Sequence, residues 1–413
     1  MTFDDTNALH RAKARYPEDL RVAMVDDVSL YSKRLLSGFR HLGIESMLYG
    51  PITSPSSKPH AIMEAMGPEG VLVWNQYLFP LQILRRAIRD RPRVVHIQFE
   101  FYGIHSYGPL YVSIGVPILL VLLRLIGVKR LVTLHSVLPV ENNRLKIVRD
   151  TSPSGRRIPT VMLAAFLILS YKLIALGSNA LIVHADIFKK RLVDQYHIKP
   201  SKVLVIPHGV DLFDRANTTT TRPTIPEEPF ILYFGVISPR KGLENLLSAF
   251  SILARQPTNC SLLLAGTSPP YYEGYEQKVK KFAADLGVNS KVRFLGSISN
   301  DLAHQLFMRA MFIVLPYSYD ISASGALSWA LGHGLPVIVS ENAYFKEEMA
   351  DYEFGLMVPP GDPMALANAM ELMISRNDLR AKFSEKANQA GASRSWLTVA
   401  KATVGVYRGL FKA

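Results

Sequence analysis

Residues 230–256 read FILYFGVISPRKGLENLLSAFSILARQ: an apolar run, a glycine, a short basic loop and a helical pattern in immediate succession. The run Phe230–Phe234 has no polar alternation, as a strand buried on both faces requires, and the apolar residues after Lys241 recur every three or four positions, as a helix requires. The same unit repeats outward. "SLLLAG" (261–266), "VRFLG" (292–296), "FIVLP" (312–316) and "PVIVS" (336–340) follow it, separated by helix-length stretches such as "YEQKVKKFAADLG". An earlier series runs through "RVAMV" (21–25), "VLVW" (71–74), "VVHIQF" (94–99), "LVTLH" (131–135), "LIVHA" (181–185) and "VLVIP" (203–207). Strands alternating with helices predict parallel sheets covered by helices, and two series predict two doubly wound, Rossmann-like α/β domains.

The 413 residues suit two domains of ordinary size. The break falls in "DRANTTTTRPTIPEEP" (214–229), whose threonines and prolines carry no apolar period. The expected division is 1–213, a linker at 214–229, a second domain at 230–393 and a closing helix at 394–413. A composition of 48% hydrophobic and 20% charged residues excludes a disordered chain. The single cysteine, Cys260, excludes a disulfide framework and suits a reducing compartment. The polar opening "MTFDDTNALHRAKARYPEDL" is not a usual secretory signal, so a cytoplasmic protein is expected. Net charge is +13, with 28 Lys and Arg against 17 Asp and Glu up to residue 215 and 19 against 17 beyond it. The first half is therefore expected to meet an acidic partner: nucleic acid, lipid headgroups or a phosphorylated substrate. Nucleic acid fits least, because no stacking aromatics interleave with the basic residues.

Open parallel sheets bind ligands beyond the carboxyl ends of their strands. In the second half those loops contain Gly235, Gly266, the cations Arg240 and Lys241 at a helix start, and the stretch "DISASGALSWALGHGLPVIVS" (320–340). Backbone N–H groups at a helix start beside two cations can hold a diphosphate; a solvated pair capping a loop is the plainer alternative. Ser322, Ser324 and Gly325 stand where strand passes to helix, suited either to a phosphate oxygen or to capping alone.

These segments resemble the retaining GT-B glycosyltransferases of family 4. "VLVIPHGVD" is similar to the family's Pro-Asn-Gly-Val-Asp segment, with His208 for Asn, "YFGVISPRKGLENLLSAF" to its phosphate-binding Lys-Gly segment, and "GLMVPPGDPMALANAM" to the ending of its second domain. The resemblance implies two domains facing a cleft, a final helix crossing back to the first domain, and a nucleotide-sugar donor whose diphosphate Arg240 and Lys241 contact. It implies retaining transfer without a protein nucleophile, the donor phosphate taking the acceptor proton. It also places His135 near the donor sugar, although a histidine at a strand end is often structural, and sets Glu100, Tyr102 and Tyr31 on the acceptor side.

The chain departs from the family at several points. Where the family has two glutamates, anchoring on "GHGLPVI" gives Ile321 and Trp329, neither a carboxylate. Asp320 stands one residue from the first position and could substitute, or be an outward-facing loop acid. The stretch resembles a subgroup with Ser-Gly at 324–325, so donor contacts are expected from Ser322, Ser324, Gly325 and Ala326. The family's glycine pair after the first strand is missing from "VAMVDDVSLYSKRLL". No Asp-x-Asp, His-x-x-x-His or cysteine cluster occurs, so no cofactor and no metal are expected.

Two apolar segments, 109–128 and 159–177, approach the length of a membrane span but are interrupted by Arg124 and Lys172. They read as a buried helix pair or as helices lying on a membrane beside Arg144, Lys146, Arg149, Arg156 and Arg157. The expected function is transfer of a hexose to a lipid-linked or polysaccharide acceptor with peripheral membrane contact. A soluble transferase on a small acceptor stands as the alternative; a phosphorylase lacks its lysine-bound-cofactor signature, and a non-catalytic sugar-nucleotide-binding protein is the third reading.

Overall fold

The computed structural model describes residues 20–26, 30–50, 70–72, 78–100, 109–141, 145–146, 159–213, 227–256, 260–269 and 272–412. These fall into two units, one built from residues up to Leu145 with Thr160–Gly209 and the chain from Trp396 onward, the other from Lys146–Pro159 and Val210–Ser395.

In the first unit, β1 (Arg21–Val25), β2 (Glu45–Gly50), β3 (Gly70–Leu72), β4 (Val94–Phe99), β5 (Lys129–Leu134), β6 (Ala180–Val183) and β7 (Val203–Val205) pair in the order β3-β2-β1-β4-β5-β6-β7. In the second, β8 (Phe230–Phe234), β9 (Ser261–Ala265), β10 (Val292–Gly296), β11 (Ile313–Leu315), β12 (Val337–Ser340) and β13 (Gly355–Val358) pair in the order β10-β9-β8-β11-β12-β13. Every described strand pairing is parallel. Chain order reverses between β1 and β4 and between β8 and β11, which opens a crevice at the strands' carboxyl ends.

β2 and β13 are additions to the strands read from sequence. β2 (ESMLYG) carries Glu45 and Ser46 at its start, which break its apolar run, and β13 (GLMV) is apolar but only four residues long, with two of them buried. β4, in contrast, is buried at all six positions, which is why its run was plain.

In the first unit α1 (Leu30–His41) packs against α13 (Trp396–Lys412). A Cβ on Gly38 would stand 2.7 Å from the Ala400 Cβ, so the two helices approach to glycine distance. A separate layer comprises α2 (Phe79–Asp90), α3 (Pro109–Leu125) and α4 (Thr160–Gly177), α2 packing on α3 and α3 on α4. The two apolar segments are thus crossover helices, and their packed sides bury Leu119, Leu120, Leu123, Tyr171 and Ile174. Their other sides are not buried, so neither is a plain core helix. α4 is long and apolar enough to cross a membrane, with 28% of it buried, yet it joins the neighbouring parallel strands β5 and β6 of one sheet. α5 (Asp186–Asp194) leads toward β7.

The second unit adds α6 (Leu243–Leu253), α7 (Tyr275–Asp285), α8 (Asn300–Arg309), α9 (Gly325–Gly332), α10 (Ala343–Glu348), α11 (Pro363–Ser375) and α12 (Asn377–Ser393). Its core gathers Tyr233, Leu247, Phe250, Leu262, Phe312 and Met370 between the sheet and α6 and α11. Polar caps open its helices: Ser299, Ser324, Asn342 and Asp362 each accept from the N–H three residues on.

Candidate functional site

Beyond β8, β9 and β10 of the second unit, Gly235, Gly266 and Gly296 stand side by side. The Gly235 N–H donates to the Ala265 carbonyl and the Gly266 N–H to the Gly296 carbonyl, each at 2.9 Å. After Gly235 the chain forms a 3-10 turn, Pro239–Lys241, and passes through Gly242 into α6. Gly242 has φ +70°, and a Cβ there would lie 1.9 Å from the Pro316 carbonyl oxygen. Only glycine permits both that dihedral and that approach. The loops after β8 and β11 are thereby joined, with the Ser318 N–H donating to the Arg240 carbonyl at 2.9 Å.

Tyr317 seats both cations of the turn. Lys241 Nζ lies 3.7 Å from its ring centroid and Arg240 Cζ 5.2 Å. Arg240 Nη1 is buried with no hydrogen-bond acceptor among the described residues. A buried guanidinium N–H without an acceptor is costly, and an anion arriving at this loop would supply one. Burial raises the pKa of the Tyr317 phenol, so it stays neutral beneath the cations.

Ser324 makes the capping contacts that one of its two sequence readings expects. Its Oγ accepts the Leu327 N–H at 3.3 Å and pairs with the Tyr317 hydroxyl at 2.9 Å, while its N–H donates to the Tyr344 hydroxyl at 3.1 Å. Both groups are engaged within the protein, so Ser324 fixes the start of α9. The donors left at that start are the N–H groups of Gly325 and Ala326, for which the described residues provide no acceptor. Gly325 is exposed, and a Cβ on it would meet nothing within 4 Å. Ser322 is half-buried in the same loop. Asp320 is buried, and its carboxylate accepts the Tyr344 N–H at 3.4 Å, so it points inward and is not an outward loop acid.

In the first unit the ends of β4, β5 and β6 and the first turn of α1 bring Tyr31, Gln98, His135 and His184 together. His184 Nδ1 donates to the Ile206 carbonyl at 3.0 Å, and its Nε2 lies 3.1 Å from His135 Nδ1. His135 Nε2 lies 2.8 Å from Gln98 Oε1, which only accepts, so that nitrogen carries the proton of the neutral ring. The Tyr31 ring meets those of His135 at 4.6 Å, His184 and His208 at 5.3 Å and Trp396 at 5.0 Å. Deeper, His96 bonds the Tyr407 hydroxyl and Thr133 Oγ1, both at 2.7 Å. Burial, then mutual repulsion, lowers His96 and His184 to about 3 and holds His135 well below the usual histidine value. All three imidazoles are uncharged at neutral pH. Glu100 is half-buried just past β4. Tyr102, Arg144, Arg149, Arg156 and Arg157 lie outside the described residues; Lys146 is exposed.

The family model described as "Glycosyltransferase Family 4" matches residues 28–213, and that described as "Glycosyl transferases group 1" matches residues 217–390. The chain belongs to the group 1 glycosyltransferases. It is 28% identical over 298 residues to the D-inositol 3-phosphate glycosyltransferase of Frankia alni, a match covering 68% of this chain and 69% of that protein. With the protein of the same name from Nocardioides sp. it shares 27% identity over 68% of this chain and 62% of that one, so the match spans about two thirds of these curated relatives. The crystal structure of Anabaena HepE in complex with UDP-glucose has the same fold, with a TM-score of 0.71 at 14% identity over 94% of this chain and 99% of that one.

Within this group 1 glycosyltransferase the two replaced glutamate positions are now placed. Ile321 is buried. Trp329 stacks on His333, ring centroids 5.7 Å apart at 8°, within an aromatic group that includes Phe213, Phe234, His304 and Phe307. Sequence reasoning missed Tyr317, Tyr344, Gln98 and His184. Gln98 was the nearest to discovery, because it shares a strand face with His96 two residues earlier.

Proposed function

We propose that the protein is a retaining glycosyltransferase that moves a hexose from a nucleotide-sugar donor to a lipid-linked or polysaccharide acceptor at the cytoplasmic face of a membrane. The observation that carries this reading is the loop pair in the second unit. Arg240 and Lys241 are held on Tyr317, an Arg240 N–H lacks an acceptor, and the start of α9 is open at Gly325. Two cations and the helix-start N–H groups suit a leaving diphosphate, whose charge grows as the glycosidic bond breaks. In this mechanism the donor's own phosphate oxygen takes the acceptor proton. The UDP-glucose bound to the Anabaena neighbour makes a uridine diphosphate sugar the first donor to try. A second reading, a small phosphorylated acceptor, is favoured by the D-inositol 3-phosphate glycosyltransferases among its relatives.

The test is nucleotide release from a panel of UDP-, GDP- and ADP-sugars, with and without lipid extract. Release confined to one donor and dependent on lipid supports the lipid-directed transferase. Release with a soluble inositol phosphate alone supports the second reading, and binding without release for any donor overturns both.

Two further outcomes are expected. Chelation with EDTA leaves the rate unchanged, and a rate restored only by added magnesium or manganese would contradict the mechanism. Gly325→Ala leaves the unfolding free energy within about 0.5 kcal/mol, because its Cβ enters open space and its φ is not left-handed. The same methyl stands where the donor phosphate is expected, so nucleotide affinity falls about tenfold or more, read by calorimetry.

A further inference from the structure

The outer side of the α2, α3 and α4 layer is aliphatic where a soluble surface is ordinarily polar. Leu81, Ile88, Val121, Leu125, Leu169 and Leu176 are from 54% (Val121) to 77% (Leu125) exposed. On each helix they fall four or seven residues apart, as a single outward stripe requires. The three helices pack side by side, so these exposed aliphatic side chains belong to one layer.

Charge on this layer has one sign. The three helices carry Arg85, Arg86, Arg89, Arg124 and Lys172 against a single carboxylate, Asp90, which is held by Arg86 Nε at 3.2 Å and the Tyr49 hydroxyl at 3.0 Å. At the foot of α2 and α3, just before β4 and β5, a cavity of about 510 Å³ is lined by Ile88, Ile126, Val128 and Phe411 together with Arg91 and Arg93. The Phe411 ring holds the Arg93 guanidinium 4.6 Å and Lys129 Nζ 5.7 Å from its centroid. Cations over an apolar wall at the edge of an aliphatic face match a phosphate headgroup joined to acyl chains.

We infer that the outer face of α2, α3 and α4 lies on a bilayer containing anionic phospholipid, with a headgroup phosphate held by Arg91 and Arg93 in the cavity at its foot. α4 rests on this surface and does not span it, because its ends join adjacent strands of one sheet and its inner side is packed on α3. The inference deepens the membrane part of the proposed function and rests on that part alone. It concerns a surface apart from the donor loops, so its readout is binding without turnover.

The experiment is co-sedimentation of the full chain with vesicles of phosphatidylcholine alone or mixed with phosphatidylglycerol. The wild type pellets with the mixed vesicles, less so at high salt, and not with phosphatidylcholine alone. Arg91→Gln with Arg93→Gln weakens partitioning about thirtyfold. Leu125→Ser with Leu176→Ser, both at exposed positions, weakens it about tenfold or more. Both double variants keep the wild-type circular dichroism and the wild-type amide-exchange protection of β4 and β5, which shows that the first unit folds. Equal binding to both vesicle types, or no change in the arginine pair, overturns the inference. So does a dimer in analytical ultracentrifugation that the leucine pair disperses, or phosphate binding in the cavity without vesicle binding. Lipid-dependent pelleting with no turnover of any donor sinks the transferase reading and leaves this surface standing.

Discussion

Lys241→Ala lowers kcat/KM for nucleotide release by about a hundredfold to a thousandfold, the cost of removing one preorganised group from a developing anion. The size of the effect follows from how the ammonium is held. Its 3-10 turn is locked by Gly242 against Pro316, tied to the next loop by the Ser318–Arg240 bond, and seated on the Tyr317 ring at 3.7 Å. A charge fixed in that way needs no reorganisation when the diphosphate leaves. Because the leaving group gains charge in the transition state, the rate falls further than the affinity for the free nucleotide diphosphate. Lys281→Ala, on the exposed face of α7 with Asp285 as its partner, is the control and leaves the rate unchanged. A Lys241→Ala enzyme that folds and keeps its rate would place the phosphate elsewhere and remove the basis of the functional reading.

The same turn shows what the sequence could and could not disclose. Arg240 and Lys241 were legible because strand, glycine, cations and helix stand in one contiguous segment whose local chemistry is decided by local sequence. The Tyr317 seat was not, because it reaches the cations only through the pairing of β8 with β11, strands about 80 residues apart in the chain. Ser324 illustrates a different limit. A serine before a helix can cap it or face a ligand, and only the positions of Tyr317 and Tyr344 settle that its hydroxyl and its N–H are already engaged. Strands buried on both faces, such as β4, announced themselves, whereas β2 opens with Glu45 and Ser46 and offered no period to read. The apolar crossover helices were legible as helices, but which residues face outward depends on α3 and α4 packing side by side.

The first unit loses stability as the pH falls from 6.5, and by pH 5 the loss attributable to His96 and His184 reaches about 4 kcal/mol. Both rings are lowered to about 3 by burial. Below the unfolded value of 6.5 the unfolded chain takes up protons that the native rings refuse. Stability is therefore complete above pH 6.5 and declines as pH drops toward 3, each ring contributing about 1.4 kcal/mol per pH unit. His135 acts in the same direction. Carboxylates titrate near pH 4, so a decline that already begins between 6.5 and 5 is the histidines' signature. Domain stability is commonly about 5 to 15 kcal/mol, which makes the loss decisive for a single unit. The measurement is urea unfolding at several pH values, followed by amide exchange in peptides covering β4, β5 and β6 so that the first unit is read by itself. His184→Asn lowers the stability at pH 7.5 by removing its bonds to Ile206 and His135, but it also reduces the pH slope by about a third, one of three lowered histidines being gone. The slope is the deciding quantity. A first unit equally stable at pH 7 and pH 5 would mean that these imidazoles are not held neutral by burial, and the hydrogen-bonded chain from Ile206 through His184 to His135 would have to carry charge.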